Sequence, residues 1–504
     1  MDPSKGQRAL AALDQFLATP LDATLARHRE RDPVVAALEL FHAAARRVPA
    51  YAAFLAEHGV DPAAVATAED FARLPRVSKQ SYLSRHPLAD LCWDGELTGC
   101  DMVAVSSGST GRPTFWPRRL GDELQIATRF EQVFRDSFGA DRRRTLAVVC
   151  FALGTWVGGM FTASCCRYLA ARGYPITVVT PGSNKEEILR VVTELGPAFE
   201  QVVLLGYPPA VKDIIDSGRA RGIDWAPYRL RLVLAGEVFS EEWRALLGER
   251  TGGEQICYDS AALYGTADAG VLAVETPLSI CVRRFLAERP EAARALFGEA
   301  RLPTLAQYDP LSRLFECEGG ALSFSGDGGV PLLRYSILDS GGLVPYAEML
   351  AFLAGYGFDP VAALGPGARG VRDLPFVYVF GRADFTVSYY GANIFPENVT
   401  VGLEQPEVSG FVTGKFVLEA AEDADRDRFL SVVVELAPGE AADAGRADIV
   451  AEAILAQLLR LNSEFAAYVP PAAQRPRVQL RPFGDPAHFP AGVKHRYTRR
   501  AATG

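Results

Sequence analysis

Residues 105–114 read VSSGSTGRPT, and this stretch decides how the rest of the chain is interpreted. The residues just before it, 102–105, are apolar and predict a short strand. Two glycines and several small hydroxyl residues let successive backbone N–H groups turn toward one point, and such a loop binds phosphate oxygens. The Walker A pattern GxxxxGK[ST] is absent, so a different kind of phosphate loop is indicated. A polar surface turn is the alternative.

Beyond this loop, short apolar runs alternate with amphipathic segments. The runs predicted as strands are residues 145–151, 176–179, 201–205 and 230–234. The segments predicted as helices are residues 122–138, 160–171, 185–195 and 241–248. Residues 1–90 are predicted to be mostly helical, with apolar spacing clearest at 34–47 and 51–58. The alternation predicts an α/β body with a substantially parallel sheet.

The last part of the chain has a different organisation. The stretch PGARGVRDLP at 366–375 is rich in glycine, proline and charge, and a strand is predicted at 376–380. Strands predicted at 415–420, 430–436 and 478–483, with a helix at 447–465, make a set of the size of a small separate domain. The predicted regions are a helical region at 1–90, a large-domain region at 91–380 and a small domain at 381–504.

Composition excludes several classes of function. The 504 residues carry 52 Lys and Arg against 61 Asp and Glu, and the net charge of −9 argues against a nucleic-acid partner. The six histidines include none between His86 and His488, so the central body by itself cannot form a histidine-based triad. Eight cysteines without CxxC spacing favour a reducing, cytoplasmic compartment.

Two further stretches bear on targeting and membranes. Asp14 interrupts the apolar stretch near the N-terminus, so no signal-peptide core is expected. Residues 145–166 carry no charge and are long enough to span a bilayer. Their pattern favours a buried strand, a glycine-rich loop and a helix, because no flanking anchors are present. No membrane partner is expected.

Five more motifs follow the phosphate loop in order. They are AGE at 235–237, YGTADAG at 264–270, LRY at 333–335 with DSGG at 339–342, GRAD at 381–384 with GANIFP at 391–396, and GVKHRY at 492–497. Individually each is weak. A Tyr-Gly pair is more often a turn, and a lone lysine in a basic tail is more often a solvated charge.

The six motifs together, in this order, resemble the adenylate-forming superfamily of acyl-CoA synthetases, luciferases and peptide-synthetase adenylation domains. Within it the chain looks most like the phenylacetate–CoA ligase branch, including coronafacic acid ligase-type enzymes that form amides. Residues 47–83, with RVPAYAAFLAEHGVD and LPRVSKQSYL, resemble the N-terminal helical region of that branch. The resemblance covers roughly residues 40–500 and implies a large body of mixed sheets and helices with a small, mobile C-terminal α+β domain.

The resemblance implies a role for each motif. ATP phosphates would be held by Ser106, Ser107, Gly108, Ser109, Thr110 and Gly111. The base would be bordered by Gly236 and Glu237 and stacked on Tyr264, whose motif includes Gly265 and Thr266. The ribose would be held by Asp339, with Arg382 close by.

The resemblance also implies the catalytic groups. Asp268 would support Mg²⁺, Lys494 would be the catalytic lysine of the small domain, and Asp384 would be the hinge. Mg²⁺ and the Lys494 ammonium would neutralise charge at the α-phosphate of ATP while an ionised carboxylate displaces pyrophosphate. This step requires little general-base chemistry, in agreement with the distribution of histidines.

The chain departs from the family pattern at two of these motifs. Ala267-Asp268 stands where Thr-Glu or Ser-Glu is usual, which removes a hydroxyl and shortens the carboxylate, although Thr266 could compensate. Phe385 stands where a second acidic or polar residue is common at the hinge. Metal geometry is therefore the property that these departures put in doubt.

The acyl substrate and the acceptor are less well defined by sequence. Trp156, Gly206 and Tyr207 fall where the family binds its carboxylic acid, and a largely apolar monocarboxylic acid is expected. The alternative is that Trp156 and Tyr207 are aromatic residues of the core. We expect the acyl group to pass to an amine such as an amino acid, because the motif departures distinguish the chain from the shorter CoA ligases. Coenzyme A is the alternative acceptor and a carrier protein the third. A non-catalytic nucleotide-binding relative is the alternative from another class.

Overall fold

The N-terminal part of the chain is built mainly of helices. The computed structural model describes residues 4–106, 114–298, 302–382, 386–489 and 498. The first helices are α1 (Lys5–Ala18), α2 (Leu21–Arg29), α3 (Pro33–Arg47), α4 (Pro49–Glu57) and α5 (Ala68–Arg73). The start of α3 shows why the sequence is helical here, because the Asp32 side chain accepts from the backbone of Val34 and Pro33 occupies the first turn.

A short antiparallel hairpin follows these helices. It consists of β1 (Met102–Ser106) and β2 (Thr114–Arg118). Ser106 and Thr114 are partners in its ladder, so the segment between them connects two adjacent strand ends. The hairpin is followed by α6 (Leu120–Glu131), and a π-helical segment (Gln132–Ser137) continues this helix.

An eleven-stranded mixed sheet forms the centre of the body. Its parallel half is built from alternating strands and helices: β3 (Thr145–Val149), α7 (Val157–Ala171), β4 (Ile176–Val179), α8 (Lys185–Leu195), β5 (Gln201–Gly206), α9 (Pro208–Ala220), β6 (Arg231–Ala235), α10 (Glu241–Thr251), α11 (Ile256–Asp259) and β7 (Ser260–Thr266). The strands β4, β3, β5, β6 and β7 lie side by side and pair in parallel. The alternation predicted from the sequence is confirmed.

The other half of the sheet is antiparallel. It contains β8 (Gly270–Val274), α12 (Pro277–Ala287), α13 (Pro290–Phe297), β9 (Thr304–Gln307), β10 (Leu314–Glu318), β11 (Ala321–Gly326), β12 (Leu332–Val344), α14 (Tyr346–Gly355), α15 (Pro360–Ala363) and β13 (Phe376–Arg382). The sheet order is β10-β11-β12-β13-β9-β8-β7-β6-β5-β3-β4. The body is therefore a mixed α/β structure, as expected.

The C-terminal region, defined as residues 386–489, has sheets and helices of its own. Its elements are β14 (Val387–Tyr389), β15 (Ala392–Ile394), α16 (Pro396–Leu403), α17 (Pro406–Ser409), β16 (Val412–Glu422), β17 (Arg428–Leu436), α18 (Ala444–Leu461), α19 (Ser463–Tyr468), α20 (Pro471–Gln474) and β18 (Arg477–Arg481). Strands β16, β17 and β18 form a sheet separate from that of the body. The predicted boundary near Gly381 falls within β13, the last strand of the body.

The helix predicted at 447–465 is divided in the structure. It comprises α18 and α19, and the chain breaks at Asn462, whose backbone is extended. The Asn462 side chain accepts from Phe465 N–H at 2.9 Å and so caps α19. An Asn inside an apolar periodic segment competes with the helix for its own backbone, and this accounts for the break.

The uncharged run at 145–166 is divided between β3, a loop and the first part of α7. All of β3 is buried, and α7 buries one face that includes Phe161, Cys165 and Leu169. Across the residues that the structure describes, no helix has the length and apolar character needed to cross a bilayer.

Candidate active site

A cavity of about 460 Å³ lies at the carboxyl ends of the parallel strands. Residues at or just after the ends of β3, β5, β6 and β7 line it, and parts of the C-terminal region close it. Crevices outside the carboxyl ends of parallel strands are the usual ligand sites of α/β sheets. The residues predicted from the sequence that line it are Ser106, Tyr207, Gly236, Glu237, Tyr264, Gly265, Thr266, Asp268 and Asp339.

The side of the cavity nearest β12 joins two residues from different motifs. The Tyr264 hydroxyl donates to Asp339 Oδ2 at 2.6 Å, although the residues are 75 positions apart. Asp339 is a ladder partner of Arg382 in β13, so the two residues predicted to lie at the ribose are on neighbouring strands. Tyr264 is thus fixed by Asp339, and a flat ligand ring could stack on it at the end of β7.

Asp268 lies in the turn between β7 and β8 and is buried. Its Oδ1 is 3.3 Å from Lys79 Nζ, and its Oδ2 accepts from the Tyr335 hydroxyl. The Arg118 guanidinium donates to the backbone carbonyls of Ala267 and Asp268 and holds the turn from behind. The carboxylate that the sequence assigns to metal support is therefore paired with an ammonium group.

The groups around Asp268 fit Mg²⁺ only if water and nucleotide phosphates supply most of its ligands. Mg²⁺ usually keeps several water ligands and takes one or two carboxylates together with substrate phosphates. One carboxylate, with Lys79 beside it, fits an ion that is held mainly by the phosphates of the nucleotide. Thr266 Oγ1 accepts from Ala269 N–H at 3.2 Å, which leaves its hydroxyl proton available to a ligand.

Glu237 is more deeply buried than its predicted place beside the base implies. Its side chain is 0% exposed, forms an ion pair with Arg428 and accepts from the Gly391 N–H at 2.8 Å. Burial raises the pKa of this carboxyl, and the charge of Arg428 opposes the rise. The residue therefore borders the cavity and also binds the C-terminal region to the end of β6.

Several predicted residues fall on segments outside the described part of the chain. These are Ser107, Gly108, Ser109, Thr110 and Gly111 of the phosphate loop, Asp384 of the hinge and Lys494. Ser106, at the near end of the loop, is 4% exposed, and its Oγ accepts from Trp116 Nε1–H at 2.9 Å. Thr498, four residues after Lys494, lines the cavity and bridges to Leu418 of β16.

One side of the cavity is apolar. It is lined by Ile126, Phe130, Phe151, Phe161 and Val271, whose side chains come from α6, α7 and strand ends. None of these was identified from the sequence, because large apolar residues on a helix face are the usual signal of a core. The aromatic walls are available only because α6 and α7 lie beside the open end of the sheet.

Tyr207 is the predicted acyl residue that lies on the cavity surface. Its ring is 4.9 Å from that of Phe151 and 5.3 Å from that of Tyr468 in α19. Trp156 and Gly206 are not among the described residues that line the cavity. Trp156 packs on Tyr468 instead, with ring centroids 4.9 Å apart, and Gly206 faces Val211 and Cys150.

Three charged lining residues were assigned no role from the sequence. Lys79 lies in a polar loop of the N-terminal region, Arg428 begins β17, and Glu464 lies in α19. A single charged residue in a polar segment carries no pattern, so no sequence signal distinguishes these three from solvated charges. The tertiary structure brings them to one cavity from three distant parts of the chain.

Comparisons with known proteins agree with this architecture. No protein-family model matches the chain. The chain is similar to phenylacetate-coenzyme A ligase of Thermus thermophilus, with 27% identity over 369 residues that cover 72% of each protein. It also matches a solved structure of 2-hydroxyisobutyryl-CoA ligase in complex with 2-HIB-AMP and CoA in the thioesterification state. That match has a TM-score of 0.64 and 16% identity and covers 97% of this chain and 92% of the other.

A second structure of the same ligase, in the postadenylation state with 2-HIB-AMP, matches with a TM-score of 0.52 and 15% identity. It covers 93% of this chain and 88% of the other. The chain therefore shares the fold of 2-hydroxyisobutyryl-CoA ligase and is similar in sequence to phenylacetate-coenzyme A ligase. Both similarities agree with the resemblance to the phenylacetate–CoA ligase branch that the order of the motifs predicts.

Proposed function

We propose that the protein uses ATP to activate a carboxylic acid as its acyl-adenylate and then transfers the acyl group to a second nucleophile. One observation carries the proposal. Tyr264, Asp268 and Asp339 face the same cavity as an apolar wall that contains Phe130 and Phe161. A nucleotide and an apolar acid bound in these two places would meet within one enclosed volume.

The first step requires positive charge rather than a base. The carboxylate attacks the α-phosphorus of ATP and pyrophosphate leaves, so two anions must approach each other. Lys79, beside Asp268, supplies one ammonium group at the site. Lys494 is proposed to supply a second, and Thr498 at the cavity wall supports its assignment. Mg²⁺, held by Asp268 and the phosphates, would neutralise further charge when bound.

The acid is proposed to be apolar and to carry a single carboxylate. The described residues of the acyl wall are aromatic and aliphatic, and burial of apolar surface there would provide most of the binding free energy. The 2-hydroxyisobutyryl group of the solved neighbour is branched and aliphatic, and it is more polar than the phenyl ring of phenylacetate. The panel of acids in the test therefore includes both aromatic and branched aliphatic acids.

Two acceptors are supported by different observations. Coenzyme A is supported by the names of the curated relative and of the solved neighbour, both of which are CoA ligases. An amine such as an amino acid, the acceptor expected from the sequence, is supported by the departures at Ala267-Asp268 and Phe385. A carrier protein is the third alternative.

Pyrophosphate release tests the proposal. Purified protein is incubated with MgATP and a panel of carboxylic acids, each with coenzyme A, with an amino-acid mixture and with neither, and products are identified by mass. We expect acid-dependent release, and a thioester or amide mass that identifies the acceptor. Lys494→Ala should lower release about 100-fold or more, because an ammonium group that stabilises developing charge is lost.

Lys415→Ala is the matched control, because Lys415 is a half-exposed lysine of the same region that pairs with Glu435. It should leave release unchanged. Tight ATP binding without release for any acid would contradict the proposal and favour a non-catalytic nucleotide-binding protein.

A further inference from the structure

The second half-reaction has a requirement that the first does not. The attacking carboxylate of the first step is already ionised, whereas an amine or a thiol must lose a proton as it forms a bond to the acyl carbon. Histidine is the commonest proton acceptor, and none is among the described residues that line the cavity. A proton acceptor must therefore be sought among the other titratable residues of the cavity.

Four carboxylates are found among the described residues that line the cavity. Asp268 is paired with Lys79, Asp339 accepts from Tyr264, and Glu237 forms a buried ion pair with Arg428. These three belong to the nucleotide side or to the contact with Arg428. The fourth, Glu464, lies in α19 of the C-terminal region, on the side of the cavity bounded by Tyr207 and Tyr468.

Glu464 is held in a defined orientation. Its Oε2 accepts from Asn393 N–H at 3.1 Å, and the Asn462 amide donates to the Asn393 carbonyl at 2.8 Å. Asn462 also caps α19, so the helix and the β14–β15 hairpin are joined at this point. The residue is 6% exposed, and this rigid support is what a proton-transfer group requires.

Two tyrosines connect Glu464 with the acyl side. Tyr468 lies four residues after Glu464 on the same helix face, and its ring centroid is 5.3 Å from that of Tyr207. Burial raises the pKa of both hydroxyls above their usual range, so both stay protonated at neutral pH. They can donate hydrogen bonds and orient a ligand, but they cannot take its proton.

The geometry points to Glu464 as the group that accepts the acceptor's proton in the acyl-transfer step, an inference that rests on the proposed function. The nitrogen or sulfur lone pair of the neutral acceptor forms a bond to the acyl carbon. The bond from that carbon to the AMP oxygen breaks, and its electron pair leaves with AMP. The acceptor's proton passes to an Oε of Glu464, which later releases it to water.

Separate assays of the two half-reactions test this role. Glu464→Gln keeps the oxygen that accepts from Asn393 but cannot take a proton. Acid-dependent exchange of pyrophosphate into ATP should be unchanged, whereas single-turnover transfer from the acyl-adenylate to coenzyme A or to the amino-acid mixture should fall about 100-fold. Glu407→Gln is the control, because Glu407 is an exposed glutamate in the first turn of α17.

Hydroxylamine distinguishes a proton acceptor from a structural residue. It is largely unprotonated at neutral pH and is a strong nucleophile, so it traps an acyl-adenylate and releases its proton to water without a protein base. Glu464→Gln should therefore form the hydroxamate at the wild-type rate, whereas a distorted cavity would slow this reaction as well. His495→Gln is tested in parallel, because His495 follows Lys494 in the sequence.

The outcomes separate this inference from the proposed function. If Glu464→Gln retains both pyrophosphate exchange and acyl transfer at the wild-type rate, the role of Glu464 is overturned and the proposed function stands. A loss of acyl transfer in His495→Gln but not in Glu464→Gln has the same meaning. Exchange, transfer and hydroxamate formation that fall together would show a structural role and overturn it too. A wild-type protein without exchange for any acid overturns the proposed function, and the role of Glu464 with it.

Discussion

At the scale of single residues, the pair formed by Tyr264 and Asp339 is the clearest consequence of folding for the site. The two come from separate motifs, each weak by itself, and a hydrogen bond of 2.6 Å joins them at the cavity wall. An aromatic ring held at its hydroxyl by a buried carboxylate is fixed in orientation before any ligand binds. Such preorganisation lowers the ordering cost of binding.

Tyr264→Phe tests this pair. The ring remains, but the hydroxyl that donates to Asp339 is lost, which should cost about 1 kcal/mol of nucleotide binding. We expect the apparent KM for ATP to rise about fivefold with little change in kcat. Steady-state pyrophosphate release measures both constants. Tyr356→Phe, at the end of α14, should change neither; an equal effect of both substitutions would contradict the assignment.

The departure at Ala267-Asp268 also belongs to this scale. A shorter carboxylate lies here beside Lys79, and the ammonium group adds positive charge where the usual motif has a hydroxyl and a longer acid. The sequence predicted the position of Asp268 through its motif. It gave Lys79 no role, because that residue precedes Asp268 by 189 positions and its stretch, LPRVSKQSYL, was matched only to the N-terminal helical region.

At the scale of secondary-structure elements, the β14–β15 hairpin and the end of β6 meet at Tyr207. Gly391 has φ +81°, and a Cβ built on it would lie 2.1 Å from the Tyr207 ring. Gly236, with φ +89°, would place a Cβ 2.9 Å from the same ring. Both glycines are required for backbone conformation and for close approach, so the hairpin can rest directly on the cavity wall.

Gly391→Ala should move the hairpin away from Tyr207. A left-handed conformation costs a non-glycine residue about 1 kcal/mol, and the clash with Tyr207 adds to this cost. Gly414→Ala is matched in strain, because Gly414 has the same φ of +81° with nothing within 4 Å of its Cβ. Thermal unfolding should show a larger loss for Gly391→Ala. Equal losses would show that the contact with Tyr207 contributes nothing.

At the scale of the whole molecule, charged side chains join the body to the C-terminal region. Lys212 in α9 is 1% exposed, and its Nζ lies 2.6 Å from Asp427 and 3.4 Å from Asp425 of the C-terminal region. Arg250 bonds Asp425 at 2.5 Å. Together with the ion pair between Glu237 and Arg428, these contacts hold the C-terminal region across the cavity.

Lys212→Met removes the central cation and leaves three carboxylates facing one another near Arg250. Loss of hydrogen bonds to charged groups should weaken the contact by about 2 kcal/mol. Hydrogen–deuterium exchange should accelerate in residues 423–427. Lys185→Met is the control, since Lys185 pairs with Asp213 at 3.0 Å within the body, and unchanged exchange in Lys212→Met would contradict the prediction.

Much of the architecture could be read from local patterns. Strand and helix periodicity predicted β3, β4, β5 and β6 within two residues, because each is a short apolar run between helical segments. The sequence did not predict the helix break at Asn462. A single capping residue ends a helix of apolar periodicity only where the tertiary structure favours the break. The antiparallel order of β8 to β13 was not predicted, because strand pairing depends on contacts far apart in sequence.

The sequence by itself indicated which class of protein the chain resembles, through six motifs in order. Only the tertiary structure decided how Lys79, Arg428 and Glu464 reach the cavity and which apolar side chains line it. The physical reason is that a motif consists of residues that are neighbours along the chain, whereas a cavity is formed by side chains from separate elements. Their meeting depends on how the sheet, α6 and α19 pack together.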